Sequence, residues 1–176
     1  SNDTNSHVEF IENLCSAVEK LAEKANIPMS KIRGIGIGAP NANYYTGTIE
    51  NAVNLTFGGM KVIPFADLMS ERIGLPVRLT NDANAAAVGE MTYGAARGMK
   101  NFITITLGTG VGSGIVVGGY VLYGHDGFAG ELGHVTMVRK DGRLCGCGKT
   151  GCLEAYASAT GVARTARELL ETTDKK

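Results

Sequence analysis

Gly130-Glu131-Leu132-Gly133-His134, followed by Cys145-Gly146-Cys147-Gly148-Lys149-Thr150-Gly151-Cys152-Leu153-Glu154, gathers three of the chain's four cysteines and one of its three histidines into one short stretch. A Cys3His set completes the tetrahedral shell of a structural zinc ion and leaves no open position for water, so such a metal holds a loop rather than performing chemistry. Cys-x-Cys, four residues and a further Cys, with glycines between, lets a short loop wrap one ion, and His134 would be presented from a preceding strand. The expected ligands are therefore His134, Cys145, Cys147 and Cys152; the plain alternative is buried free thiols in a tight turn. Disulfides fit less well, because the Cys-x-Cys spacing disfavours pairing Cys145 with Cys147 and a chain of this size needs no staples. Glu131 and Glu154 flank the ligands and would be held still by them. Carboxylates accept hydrogen bonds from vicinal diols with good geometry, which makes both candidates for sugar hydroxyls; alone, each could equally be a solvated surface acid.

The bulk properties are compatible with such a site. An apolar fraction of 44% over 176 residues can build a core for one domain or two small ones. Seventeen basic and seventeen acidic residues give a formal net charge of zero with no block of like charge, which points away from nucleic acid and anionic membrane as partners. No apolar run approaches the roughly 18 residues of a membrane span, and no signal peptide is read, so a reducing cytoplasm is expected. Twenty-five glycines with no Trp suggest tight turns and close backbone approaches, as phosphate or sugar handling needs.

Ser6-His7-Val8-Glu9 reads as a capping box opening an amphipathic helix to about Asn26, with Cys15 on its apolar stripe. Ile32 to Gly38 alternates β-branched residues with glycine and reads as a strand ending at Pro40, one face close to another backbone. Residues 41 to 62 mix turn formers with short extended pieces. Pro64 to Arg72 reads as a helix stopped by Gly74, and Val77 to Thr80 as a buried strand. Strands are expected at about 102 to 107, 113 to 118 and 120 to 123, helices at Leu153 to Ala157 and Gly161 to Glu171, and a polar tail from Thr172. The domain break falls near Gly94 to Lys100, giving segments 1–96 and 97–176.

Two further stretches carry chemistry. Asn81-Asp82-Ala83-Asn84 opens an alanine-rich helix, so Asp82 is either a plain N-cap or a fixed general base for a hydroxyl nucleophile. Leu107-Gly108-Thr109-Gly110-Val111-Gly112-Ser113-Gly114 lies between two strands. Its glycines allow several backbone N–H groups to converge on an anion, although an ordinary glycine-rich hairpin has the same pattern. It is neither a Walker loop with its Lys nor a dinucleotide fingerprint opening a helix.

Taken in order, Gly38-Ala39-Pro40, Asn81 to Ala86, Leu107 to Gly114, Gly130 to His134 and Cys145 to Glu154 resemble the ROK family of bacterial sugar kinases and repressors over nearly the whole chain. The resemblance implies an α/β, actin-like (ribonuclease H-like) ATPase fold of two lobes. Residues 1–96 would be the remainder of an N-terminal lobe, and 97–176 the start of a C-terminal one. It implies ATP-dependent phosphorylation of a hexose or N-acetylhexosamine, commonly on the C6 hydroxyl, with Asp82 as catalytic base. Asn81, Asp82, Glu131, His134 and Glu154 match sugar-binding positions. Gly108, Thr109, Gly110, Gly112 and Gly114 match a phosphate segment, and His134, Cys145, Cys147 and Cys152 match the zinc ligands. ATP with Mg²⁺ and a homo-oligomer are implied as well. The family usually has Gly where Asn41 stands, so that side chain bears on specificity or on the turn. The family's Asp-x-Gly-Gly-Thr hairpin and adenosine-binding portion are not found here, which implies an internal segment with little kinase activity by itself. The same resemblance admits the sugar-sensing part of a transcriptional repressor; Asp82 favours the kinase, since a sensor needs no base.

Overall fold

The computed structural model describes residues 7–51 and 61–173. Ser6 of the capping box, residues 52–60 of the mixed stretch and the end of the polar tail lie outside them. The chain divides into two compact units, Ser1–Ala85 and Ala86–Lys176. The division falls inside a helix, α3 (Asp82–Thr92), one helix earlier than the break expected from the glycines at 94–100.

The first unit contains α1 (His7–Lys24), β1 (Ile35–Gly38), β2 (Ala42–Asn43), β3 (Thr48–Glu50), β4 (Val62–Ile63), α2 (Phe65–Ile73), β5 (Val77–Thr80) and the first turn of α3. β1 and β5 are parallel, with Ile35 opposite Val77 and Gly38 opposite Thr80, while β2, β3 and β4 form a small antiparallel sheet. Ile32, Arg33 and Gly34 were expected in the strand but precede it. The Ile35 N–H still reaches Pro76 O at 2.9 Å, and there the pairing stops, because Pro76 has no N–H to offer.

The apolar stripe of α1 buries Ile11 and Cys15 against Phe65 and Met69 of α2 and Val77 and Leu79 of β5. Cys15 is fully buried, as its place on the stripe predicts, and burial pushes its thiol above the ordinary range. Phe10 and Phe65 tilt against each other with centroids 6.2 Å apart. Burying Met69 and Leu79 completely contributes about 1.5–3 kcal/mol each. α2 starts after Pro64 and ends at Gly74, whose φ of 71° closes the helix in the left-handed conformation.

The second unit is built on an antiparallel meander of β6 (Phe102–Leu107), β7 (Val111–Val117) and β8 (Tyr120–Val121). β7 and β8 are joined by Gly118-Gly119, both at positive φ (62° and 86°), the backbone that a two-residue hairpin turn demands. β7 starts two residues before the expected position, so Gly112 and Gly114 are strand residues opposite Thr106 and Thr104. The expected glycine loop of 108–114 is therefore a three-residue turn, Gly108-Thr109-Gly110. A 3-10 turn (Leu132–His134), α4 (Glu154–Ala157) and α5 (Ala159–Thr173) follow. α5 starts two residues before Gly161 because Ser158 caps it, its Oγ accepting the Gly161 N–H at 3.1 Å. No described helix is long and apolar enough to cross a membrane.

Candidate functional site

In the first unit, the junction between β5 and α3 sets the geometry around Asp82. Asn81 Oδ1 accepts the Ala83 N–H at 2.9 Å, and Asp82 Oδ1 accepts the same N–H at 2.8 Å. Asn81 is thus the cap, and the second Asp82 oxygen has no partner among the described residues. The first turn of α3 lies against the end of β1. A Cβ on Gly38 would stand 3.0 Å from the Ala85 Cβ and 3.4 Å from the Asp82 Cα, so this approach needs glycine. No such need exists at Gly36, where a Cβ would meet nothing within 4 Å. Asn84 is buried and its Oδ1 is one of two buried side-chain atoms without a partner among the described residues, Thr80 Oγ1 being the other.

Asn41 adopts φ 53°, and its Nδ2 donates to Glu50 O at 2.9 Å and to Asn51 O at 3.3 Å. Asparagine tolerates this left-handed conformation better than most non-glycine residues, so it keeps the turn. Its amide is spent on backbone carbonyls.

The second unit gathers the remaining candidates. One ligand atom each from His134, Cys145, Cys147 and Cys152 can be chosen so that all four lie within 4.8 Å of one another. Cys147 Sγ and Cys152 Sγ are 3.7 Å apart, and Cys145 Sγ is 3.7 Å from His134 Nδ1. With metal–sulfur bonds of about 2.3 Å, the edge of a tetrahedral site is about 3.8 Å, so these spacings fit a single tetrahedral ion. Cys145 and Cys152 are buried and Cys147 is exposed. Without an ion, burial pushes the Cys145 thiol up to about 12, whereas a hydrogen bond from the Lys149 backbone lowers that of Cys147.

The loop closes through left-handed Gly148 and Gly151 (φ 87° and 78°), the Cys145 N–H donating to Lys149 O at 2.8 Å and the Gly148 N–H to Cys145 O at 3.0 Å. A Cβ on Gly151 would sit 1.8 Å from Val138 O, which excludes every other residue there.

His134 comes from the 3-10 turn, not from the expected strand. Within the turn Gly133 packs so tightly on β7 that a Cβ would lie 2.1 Å from Val111 O. His134 Nε2 faces Glu131 Oε2 at 3.9 Å, and Lys149 Nζ donates to His134 O at 2.8 Å. Glu131 is exposed, whereas Glu154 is half-buried and accepts the Val111 N–H on Oε2 at 3.0 Å. In the turn itself the Thr109 and Gly110 N–H groups have no acceptor among the described residues. An open cavity of about 270 Å³ lies next to it, its lining including Thr109, Cys145, Glu154, Ser158 and Arg164.

Some supporting residues carry no sequence signal. The Arg143 side chain is nearly buried. It donates to Ala155 O and Gly161 O, each at 3.1 Å, and to Glu168 at 2.6 Å, with its guanidinium 4.7 Å from the Tyr156 ring centroid. Ser113 Oγ donates to Gly130 O and so fixes the start of the Glu131 segment. Only the Asp-Gly-Arg context hints at Arg143, as a turn before the cysteines.

The sequence pattern of the ROK family matches residues 3–176. A glucokinase of Halalkalibacterium halodurans is 49% identical over 157 residues, which is 89% of this chain and 47% of the relative. A putative xylose repressor of a Caldicellulosiruptor species is 36% identical over 164 residues, 93% of this chain and 40% of the relative. The crystal structure of a ROK family glucokinase from Streptomyces griseus, in complex with glucose and AMPPNP, superposes with a TM-score of 0.76 at 37% identity, covering 98% of this chain and 53% of that one. The chain spans about half the length of the curated relatives it matches. Its mixed α/β architecture is part of the actin-like ATPase fold of those structures, and the chain belongs to the ROK family.

Proposed function

We propose that the protein transfers the γ-phosphoryl group of ATP to a hydroxyl of a hexose or N-acetylhexosamine, with glucose the first candidate. One observation carries this reading: a single set of metal ligands holds Glu131, His134 and Glu154 in the same unit as a glycine turn with two N–H groups lacking acceptors among the described residues. Sugar hydroxyls need carboxylate and imidazole partners, and phosphate oxygens need converging N–H donors.

Zinc is the metal that the Cys3His set and its spacing fit, and its role is to brace the loop. ATP and Mg²⁺, when bound, supply the phosphoryl group and neutralise its charge. The chain's own residues do the rest. Asp82 takes the proton from the attacking hydroxyl through its unpartnered oxygen, and Asn81, Glu131, His134 and Glu154 orient the sugar. Gly108, Thr109 and Gly110 cradle phosphate oxygens, with Gly112 and Gly114 giving room from β7. Asn41 shapes the edge of the sugar site through the turn it maintains.

The likeness to a xylose repressor supports a second reading, in which the pocket senses a sugar. Asp82 separates the two, because binding alone needs no base. In the kinase, Asp82→Asn should cut kcat about 10²- to 10⁴-fold in an ATP-coupled assay while sugar affinity by calorimetry changes less than about tenfold. Unchanged turnover would sink the base assignment. Sugar binding with no turnover in a full-length ROK chain carrying this segment would favour the sensor.

A further inference from the structure

The Gly108–Gly110 turn has one bond of its own, from the Gly108 N–H to Gly110 O at 3.0 Å. What holds it comes from residues 154–159. Glu154 Oε2 accepts the Val111 N–H at 3.0 Å, and the Ala159 N–H donates to Gly108 O at 2.9 Å. A Cβ on Gly110 would lie 2.4 Å from Glu154 Oε2, so the carboxylate occupies the space of a side chain on the turn. Glu154 is in turn placed by the metal loop: the Leu153 N–H donates to Val135 O at 2.9 Å and the Ala155 N–H to Cys152 O at 3.1 Å.

We infer that Glu154 is the positioning residue of the glycine turn, so that phosphate binding, as well as sugar binding, depends on the metal-braced segment through this one side chain. The inference rests on the reading of the turn as a phosphate cradle. A carboxylate is a poor neighbour for a phosphate unless it is already committed, and Glu154 is committed to Val111. By taking that N–H, it fixes the first residue of β7 and leaves the Thr109 and Gly110 N–H groups to a ligand. Its role at the turn is to accept one hydrogen bond, which a neutral amide can also do; at a sugar, the charge of the carboxylate matters too.

The two uses can be separated by titrating ATP and, separately, glucose into a metal-loaded full-length ROK chain carrying this segment by calorimetry, with wild type, Glu154→Ala, Glu154→Gln and Gly110→Ala. Glu154→Ala should weaken ATP about tenfold or more, and Glu154→Gln should restore ATP to within about threefold of wild type while still weakening glucose. Gly110→Ala, which keeps the carboxylate but pushes it off the turn, should weaken ATP. Amide hydrogen exchange at Val111 should quicken in Glu154→Ala and recover in Glu154→Gln, whether or not nucleotide is present. Wild-type affinity for ATP in Glu154→Ala, or loss of ATP in Glu154→Gln as deep as in Glu154→Ala, overturns the inference alone. No ATP affinity in the wild type overturns the phosphate reading and the inference with it.

Discussion

At position 41 the backbone conformation is set before any ligand is considered. A φ of 53° costs an ordinary L-residue about 1–2 kcal/mol, glycine nothing, and asparagine something between. Asn41 also donates to two backbone carbonyls. Urea unfolding of Asn41→Ala should therefore show a loss of about 1–2 kcal/mol, with Asn41→Gly between it and the wild type. A glycine variant less stable than the alanine variant would mean that the backbone at 41 does not need the left-handed conformation. The residue was legible in the sequence as an oddity, since the family resemblance implies glycine there. Its conformation was not, because φ depends on the Glu50 and Asn51 carbonyls that the fold brings to it.

Between elements, arginines do most of the joining. Arg72 of α2 grips Glu12 of α1 with two nitrogens, at 2.6 and 2.7 Å, and reaches Glu19 at 3.1 Å. Its hydrogen bond holds the Glu12 carboxyl below the ordinary range, as those from Arg164 and Arg143 do for Glu168. For such groups the unfolded chain binds protons first on acidification. Their contribution is therefore complete above the ordinary carboxylate range and disappears as pH falls through the lower folded values. The two carboxylates are exposed, so the effect is modest. The Tm difference between wild type and Arg72→Met should be constant above the ordinary carboxylate range and shrink as pH falls below it; a difference that grows in acid would sink the assignment.

Helix and strand positions were largely readable from periodicity, caps and prolines. Their ends were not: β1 starts late because Pro76 stops its partner, and β7 starts early, with Gly112 and Gly114 paired opposite Thr106 and Thr104 of β6. The arginine joints pair residues far apart in sequence, and no local pattern announces them.

For the whole molecule, the metal set belongs to one of two units, and its loss should be felt unevenly. Structural zinc sites contribute on the order of 10–16 kcal/mol in small peptides, as large as a domain's whole usual margin of about 5–15 kcal/mol. Stripping the ion with a chelator should speed amide exchange across residues 131–159 while α1, α2 and β5, with their own apolar core, stay protected. Equal loss of protection in both units would show that the ion stabilises the chain as one body. Cys147→Ser should weaken sugar binding without touching a sugar contact, and unchanged affinity in a metal-free variant would break that link. The ligand set was legible because cysteine and glycine spacing is local. The link from Glu154 to the glycine turn was not, since it joins residues forty-three positions apart.

The registers also imply an order in time. β6 and β7 are joined by only three residues and can zip from their turn within microseconds, as isolated hairpins do. Ile35, by contrast, must find Val77 across an intervening helix and a small sheet, a closure that the chain's entropy opposes. The hairpin that carries the glycine turn is thus expected among the first structures to form, before its cysteines have closed around an ion. The turn would then be ready, and unsupported, while the parallel pair beside Asp82 is still being assembled.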